Sequence, residues 1–384
     1  MKLKLYCDRA WVPPDCDHVG MLDPFWGADH YDPEGNAQQI GKPYLAKGGD
    51  IFEIVNTLDE CDALLLPVDW LHFLSRPSAM AQAWELIERA GVAGKRVILF
   101  FCTDAPIRVD WPAHVVVFRI ASHRSWRRPN EFIVPQWSRD YLGDTGGELP
   151  VRAKGALPVI GFCGFAPPLG MRPGKRWFKE TARLFAHRLG LGAIMPERMA
   201  HAARARALIA LARSPLVQTN YLIRGESAFD NPIGAFLPGG TVEAAVLRRR
   251  EFVNNILSSD YVLCARGWAN CSIRFYETLS LGRIPVLIDT DCVLPFESAI
   301  DWRKYCVMVK ENKPAQAARA IREFHETLAP GEFEALQKAC RRLWEEWFSP
   351  LGFFNNLHRQ LDSGPLQQIN RAFAKNDFGT FRQN

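Results

Sequence analysis

Arg266, Ser272, Arg274 and Glu277 stand within a dozen residues of one another, and their types suit the binding of an anion. The apolar run ending at Ala265 reads as a buried strand, and Arg266-Gly267 opens the loop after it. Ser272 is placed to cap a helix predicted over 272–281. A helix start at the carboxyl end of a parallel strand offers free backbone N–H groups and the positive end of a dipole. Guanidinium forks are the side chains best shaped for a diphosphate. Glu277 follows Arg274 by three residues and shares its helix face, where a carboxylate can accept hydrogen bonds from a ribose diol. Together these residues read as a nucleotide-diphosphate cradle. The same spacing also describes an amphipathic helix with a solvated Arg274–Glu277 ion pair, and spacing alone does not choose.

Weaker signals lie nearby. Arg224 closes an apolar strand, Tyr221-Leu-Ile-Arg, and is expected to reach phosphate from that strand's carboxyl end. Gly164 and Phe165 end another strand, where a small turn lets a diphosphate or sugar come close. The arginines at 248–250 read as a solvated helix face, and those at 198, 204, 206 and 213 as surface residues.

The elements that must hold these residues follow from the patterning. The chain has 384 residues, 48% hydrophobic and 23% charged, the balance of a soluble protein of two to three domains. A net charge of +5 without any dense Lys/Arg block fits a small anionic ligand and argues against a nucleic-acid surface. No apolar run approaches the ~20 residues of a membrane span. The opening residues carry no signal-peptide stretch. Ten cysteines without a C-x-x-C pair read as buried thiols of a reducing compartment, so no structural zinc is expected. Strands are predicted at 3–8, 63–68, 96–102 and 114–119, with a helix over 77–90. A Gly/Pro-rich stretch at 140–157 reads as a linker. Beyond it, strands at 158–162, 220–224, 261–265, 284–289 and 306–309 alternate with helices at 177–189, 196–213, 242–258, 272–281, 314–328 and 331–348. The expected class is α/β with two Rossmann-like domains. Residues 1–152 form the first and 153–348 the second, and a C-terminal helix and tail over 349–384 packs back on the first.

The order of residues from 259 to 302 resembles the exostosin family of glycosyltransferases. The shared run is a strand, Arg266-Gly267, Asn270, Ser272-Ile-Arg274 with Glu277 beyond it, Gly282-Arg-Ile-Pro-Val286 and Asp289, followed by Leu294-Pro-Phe296 and Ile300-Asp-Trp302. Weaker matches lie upstream at Cys61-Asp-Ala-Leu-Leu-Leu-Pro67, Phe132-Ile-Val-Pro135 and Ile160-Gly-Phe-Cys-Gly-Phe165. The departure is Gly267-Trp-Ala-Asn270, where a more glycine-rich loop is expected; Trp268 there would narrow the phosphate pocket or stack on the donor.

The resemblance implies a GT-B fold, two Rossmann-like domains facing across a cleft, with donor in the second and acceptor in the first. It implies an inverting transferase with no metal and no cofactor, moving a sugar from a nucleotide diphosphate, expected to be UDP, to a glycan or lipid-linked glycan. Donor-binding residues would be Arg224, Arg266, Asn270, Ser272, Arg274, Glu277, Gly164 and Phe165. Asp15-Cys-Asp17 has the D-x-D form but sits in a Pro-rich loop, and no metal is assigned to it. The general base should follow a strand of the first domain. Asp69 is the first choice for it, although an Asp there is also a common helix cap. Asp104, Asp23 and Asp29 are alternates, and the last two lie with His30 in an early loop, 8–41, read as acceptor-binding. Eukaryotic members of the family carry a membrane anchor. The expectation here is therefore a cytoplasmic enzyme working at the inner face of the membrane with peripheral contact, or a trimmed piece of a longer chain. Two rivals stay open: a GDP-fucose-using GT-B transferase, and a catalytically silent exostosin-like partner subunit.

Overall fold

A computed structural model describes residues 2–28, 36–138, 140–166, 200–224 and 242–361. The strands described in it fall into two sheets, and every pairing in both is parallel. Parallel sheets covered on both faces need continuously apolar strands. Both sheets have them.

The first compact unit comprises Met1–Arg139, Val293–Ile300 and Glu346–Asn384. Its sheet runs β2-β1-β3-β4-β5-β6, built from β1 (Leu3–Tyr6), β2 (Phe52–Val55), β3 (Ala63–Leu65), β4 (Arg96–Phe100), β5 (Val115–Arg119) and β6 (Glu131–Ile133). Helix α1 (Asn36–Ile51) precedes β2, and α2 (Trp70–Phe73) and α3 (Pro77–Val92) follow β3. Helix α3 begins on a proline, tolerated in a first turn because its missing N–H would have no helical partner. It buries Ala83, Leu86, Ile87 and Ala90 in a core with Trp70, Phe73 and Trp111. On another side Phe353 and Phe354, from helix Pro350–Asn355, close over the sheet. Phe354 stacks on Tyr44 at 4.4 Å and meets Phe52 edge-on, and Phe353 meets Phe118.

Helix α1 and strands β2 and β6 were not expected from sequence. Gly41, Pro43, Gly48 and Gly49 argue against helix, yet tertiary packing wins. Tyr44 donates from its hydroxyl to the Met21 carbonyl at 2.7 Å, and any Cβ on Gly48 would collide with Pro24. The glycine therefore marks a close approach of α1 to the short helix Asp23–Trp26.

The second unit comprises Asp140–Cys292 and Asp301–Glu345. Its sheet runs β11-β10-β9-β7-β8, from β7 (Val159–Phe165), β8 (Gln218–Arg224), β9 (Tyr261–Cys264), β10 (Ile284–Asp289) and β11 (Val307–Lys310). Around it lie α4 (Ala200–Ala212), α5 (Val242–Leu257), α6 (Ile273–Ser280), α7 (Ala317–Thr327) and α8 (Pro330–Leu343). The expected linker is integral to this unit. Asp140 pairs with Arg341 at 2.7 Å, Arg152 with Asp260 at 2.8 Å, and the Arg152 backbone exchanges two hydrogen bonds with the Gln337 amide. Glycines and prolines here serve turns in a folded segment. The division thus falls at 139/140, and the eight residues 293–300 belong to the first unit. The helix expected at 177–189, the first residues of the one at 196–213 with Arg198, and the tail beyond Leu361 lie outside the described residues. No helix among the described residues is long and apolar enough to cross a membrane.

Candidate functional site

In the second unit the chain leaves β7 for its neighbour β8 on one side, then returns to place β9 on the other. Ligands of open parallel sheets bind outside the carboxyl ends of strands at such a reversal. The ends that meet there are Gly164-Phe165 of β7 and Ala265-Arg266 after β9.

Gly164 adopts φ +145°, and a Cβ on it would lie 2.8 Å from Arg274 Nη2. The guanidinium of Arg274 occupies the space that glycine leaves. It donates from Nη2 to the Cys163 carbonyl at 2.6 Å and lies 4.6 Å from the centroid of Phe162 and 5.8 Å from that of Phe252. Aromatic faces hold a cation without neutralising it. The Arg274 Nε is buried and makes no hydrogen bond. Arg266 is buried and donates from Nη2 to the Trp268 carbonyl at 2.9 Å, which ties the loop beneath an exposed Trp268 ring.

Ser272 occupies the position before α6, but its side chain makes no capping hydrogen bond, contrary to expectation. Asn270 is buried, and its Oδ1 accepts from the Thr290 hydroxyl at 2.6 Å, fixing the loop against the end of β10. Glu277 is only 7% exposed and forms no ion pair with Arg274, so the solvated surface pair is excluded. The Tyr141 hydroxyl donates to its Oε1 at 3.3 Å. Burial pushes the Glu277 carboxyl up to about 7, against the opposing pull of Arg274 and the Tyr141 hydrogen bond. Tyr141 in turn packs edge-on against Phe252, beneath Arg274.

Arg224 lies beside Cys163 at the same strand ends, but it has a carboxylate partner. Its guanidinium pairs with Glu251 at 3.0 Å and donates to the Arg248 carbonyl at 3.2 Å, which anchors β8 to α5. Arg204 corrects the surface reading. It is 9% exposed and donates to the carbonyls of Phe165 and Arg266 at 2.9 and 2.8 Å. Arg206, two residues on, is the exposed one, paired with Glu311.

In the first unit Asp69 lies beyond β3 and both its oxygens are engaged. Oδ1 accepts the Leu71 N–H at 2.9 Å as the cap of α2, and Oδ2 accepts the Cys102 N–H at 2.8 Å, which ties the ends of β3 and β4. Asp104 makes no hydrogen bond or ion pair among the described residues, and partial burial raises its carboxyl above the usual range. Asp15 pairs with Arg76, which holds it below the carboxylate range. Asp23 meets His18 at 3.3 Å, while Asp29 and His30 lie outside the described residues.

Residues 236–324 match the sequence model of the Exostosin GT47 domain. The match covers less than a quarter of the chain, and over that segment the chain is similar to the exostosin family. Exostosin-1 of Drosophila melanogaster is 34% identical over 104 residues, 27% of this chain and 13% of that protein. Exostosin-like 1 of Homo sapiens is 36% identical over 76 residues, 20% and 11% of the two chains. The probable glucuronosyltransferase GUT1 of Oryza sativa subsp. japonica is 45% identical over 56 residues, 15% and 13%. The chain therefore matches about an eighth or less of the length of these relatives. A glycosyltransferase of Rickettsia africae aligns over 98% of this chain and 99% of its own at 11% identity, with a TM-score of 0.32.

The exostosin segment holds Arg266, Asn270, Ser272, Arg274 and Glu277, but not Gly164, Tyr141, Phe162 or Arg204, which the fold brings to the same place. Sequence reasoning missed the last three. For Arg204 a signal was present: it shares a helix face with Leu208 and Leu211, both fully buried, so a charge stands on an apolar stripe.

Proposed function

We propose that this chain is an exostosin-family enzyme that transfers a sugar from a nucleotide diphosphate, with UDP as the nucleotide, to a glycan acceptor, inverting the anomeric centre without a metal. The observation that carries the reading is the cluster of guanidiniums at the β7/β9 reversal, around a glycine whose missing side chain makes room for one of them. None of the hydrogen bonds of Arg204 and Arg274 among the described residues goes to a carboxylate. Positive charge of this kind stabilises a leaving diphosphate as the bond from its oxygen to the anomeric carbon breaks. Glu277, held by Tyr141, is the acceptor for a ribose hydroxyl. The first unit supplies the acceptor hydroxyl's base. Asp69 has the expected address but spends both oxygens on backbone N–H groups, so the assignment moves to Asp104, whose carboxylate has no competing partner among the described residues.

Calorimetric titration with UDP, GDP and UMP in EDTA tests the reading. Binding of UDP ahead of the other two is expected, with transfer from a UDP-sugar persisting in chelator. A requirement for Mn²⁺ or Mg²⁺ would overturn metal independence, preference for GDP would change the donor, and no nucleotide binding would remove the cradle.

A further inference from the structure

Arg204 has the geometry of a residue whose charge is meant for something outside the protein. It reaches from α4 to the carboxyl ends of two strands on either side of the reversal, Phe165 of β7 through Nη1, and Arg266 and Ala265 after β9 through Nη2 at 2.8 and 3.5 Å. Its Nε is buried with no hydrogen bond. Every partner is a neutral carbonyl.

Two other buried or half-buried arginines among the described residues are balanced by carboxylates. Arg119 has Glu131, and Arg341 has Asp140 and Glu345. Arg283 also bonds to carbonyls and has a cation, Arg152, beside it, with the Asp260 carboxylate a weaker influence; it differs from Arg204 in place, lying at the amino end of β10 rather than at the carboxyl ends of strands. Near Arg204 the charged neighbour is another cation, Arg274, and the two guanidiniums share Phe162, at 6.0 and 4.6 Å from its centroid. Burial and that neighbour push the Arg204 guanidinium down to about 10. Two like charges held in a partly desolvated place repel, and an anion between the strand ends relieves both.

We propose that Arg204 is the positioning residue of the diphosphate site: it clamps the β7 and β9 ends in the spacing the ligand needs and supplies charge behind them that the diphosphate neutralises. This rests on the nucleotide-diphosphate reading of the same site. The Arg266 side chain would be aimed by the Arg204 clamp on its own carbonyl, so Arg204 acts through its neighbours rather than by touching ligand.

The test compares the full chain with Arg204→Lys and Arg204→Met by calorimetry against UDP, UMP and uridine, at low and high salt. Removing charge and fork together should weaken UDP by about tenfold or more. The loss should be smaller for UMP and within twofold for uridine, and the salt dependence of UDP binding should flatten. Lysine keeps the charge and loses the two-carbonyl clamp, so its loss should be intermediate and again graded with phosphate number. Equal losses for all three ligands would make Arg204 a purely structural residue and overturn the proposal, as would unchanged UDP affinity. If the methionine variant does not fold, the lysine variant decides by the same gradient. Wild-type protein that ignores UDP but is stabilised against heat by inorganic pyrophosphate, with the gain lost in Arg204→Lys, would sink the nucleotide reading and keep Arg204's role.

Discussion

Two buried arginines stand at the carboxyl ends of parallel strands, one in each unit, and they have been treated in opposite ways. Arg119 closes β5 at 1% exposure, with Glu131 at 2% exposure 3.1 Å from its Nη1, the Ile107 carbonyl on Nη2, and Phe101 4.9 Å away. Its charge is satisfied inside the fold. Arg204, at the carboxyl ends of β7 and β9 in the other sheet, has carbonyls, an aromatic ring and a second arginine for company. The sheets have the same order over their first five strands, with the reversal between the first strand and the third. Arg119 stands on the fifth strand of its sheet, away from that reversal, whereas Arg204 stands at it. Arg119 has its charge balanced within the fold, and the proposed anion site rests on Arg204 having no carboxylate among its hydrogen-bond partners.

The largest expected effect breaks the balanced side. Glu131→Ala strands a buried guanidinium and should cost about 3–5 kcal/mol in urea unfolding. A loss under 1 kcal/mol would mean Arg119 is not carried by its carboxylate, and the contrast with Arg204 would fail.

Next comes the titration of Glu277. Its carboxyl sits at about 7 in the fold against an ordinary value of 4.5. A raised folded value means that stability is fully present below about pH 4.5 and is lost as pH rises through about 7. The group contributes on the order of 3 kcal/mol over that window. Comparing unfolding against pH for the wild type and Glu277→Gln checks it: the glutamine chain should lack this slope. The same slope in both would place the titration elsewhere.

The smallest effect concerns the first unit's strand-end carboxylate. Asp69→Asn keeps an oxygen for the Leu71 N–H but turns an NH₂ toward the Cys102 N–H, so about 1 kcal/mol of stability should go. Turnover per folded molecule should hold. A kcat lower by about 10²–10⁴-fold at unchanged stability would instead make Asp69 the general base.

Much of this was legible beforehand. Strands such as Val115–Arg119 announce themselves because both faces are buried and every residue is apolar or β-branched up to the final arginine. The segment from Arg266 to Glu277 was legible because one loop and one helix carry it. What sequence could not show came from contacts between distant stretches. Tyr141 and Glu277 are 136 positions apart, and Arg204 and Arg266 are 62. Short strands next to breakers, such as Phe52–Val55 after the glycines of α1, carry too few residues for a period to emerge. Ser272 failed for a different reason: a residue type that favours capping does not compel its hydroxyl to do so.

The first unit is assembled from three separated stretches of chain, and this orders events in time. Phe118 and the rest of that sheet emerge early from the ribosome, but Phe353 and Phe354, which cover it, come more than two hundred residues later. At 5–20 residues per second the uncovered sheet waits roughly 10–50 s for its lid. During that interval the bare face of Phe52 and Phe118 is a natural landing place for a chaperone, and a chain ending before residue 350 would stay there.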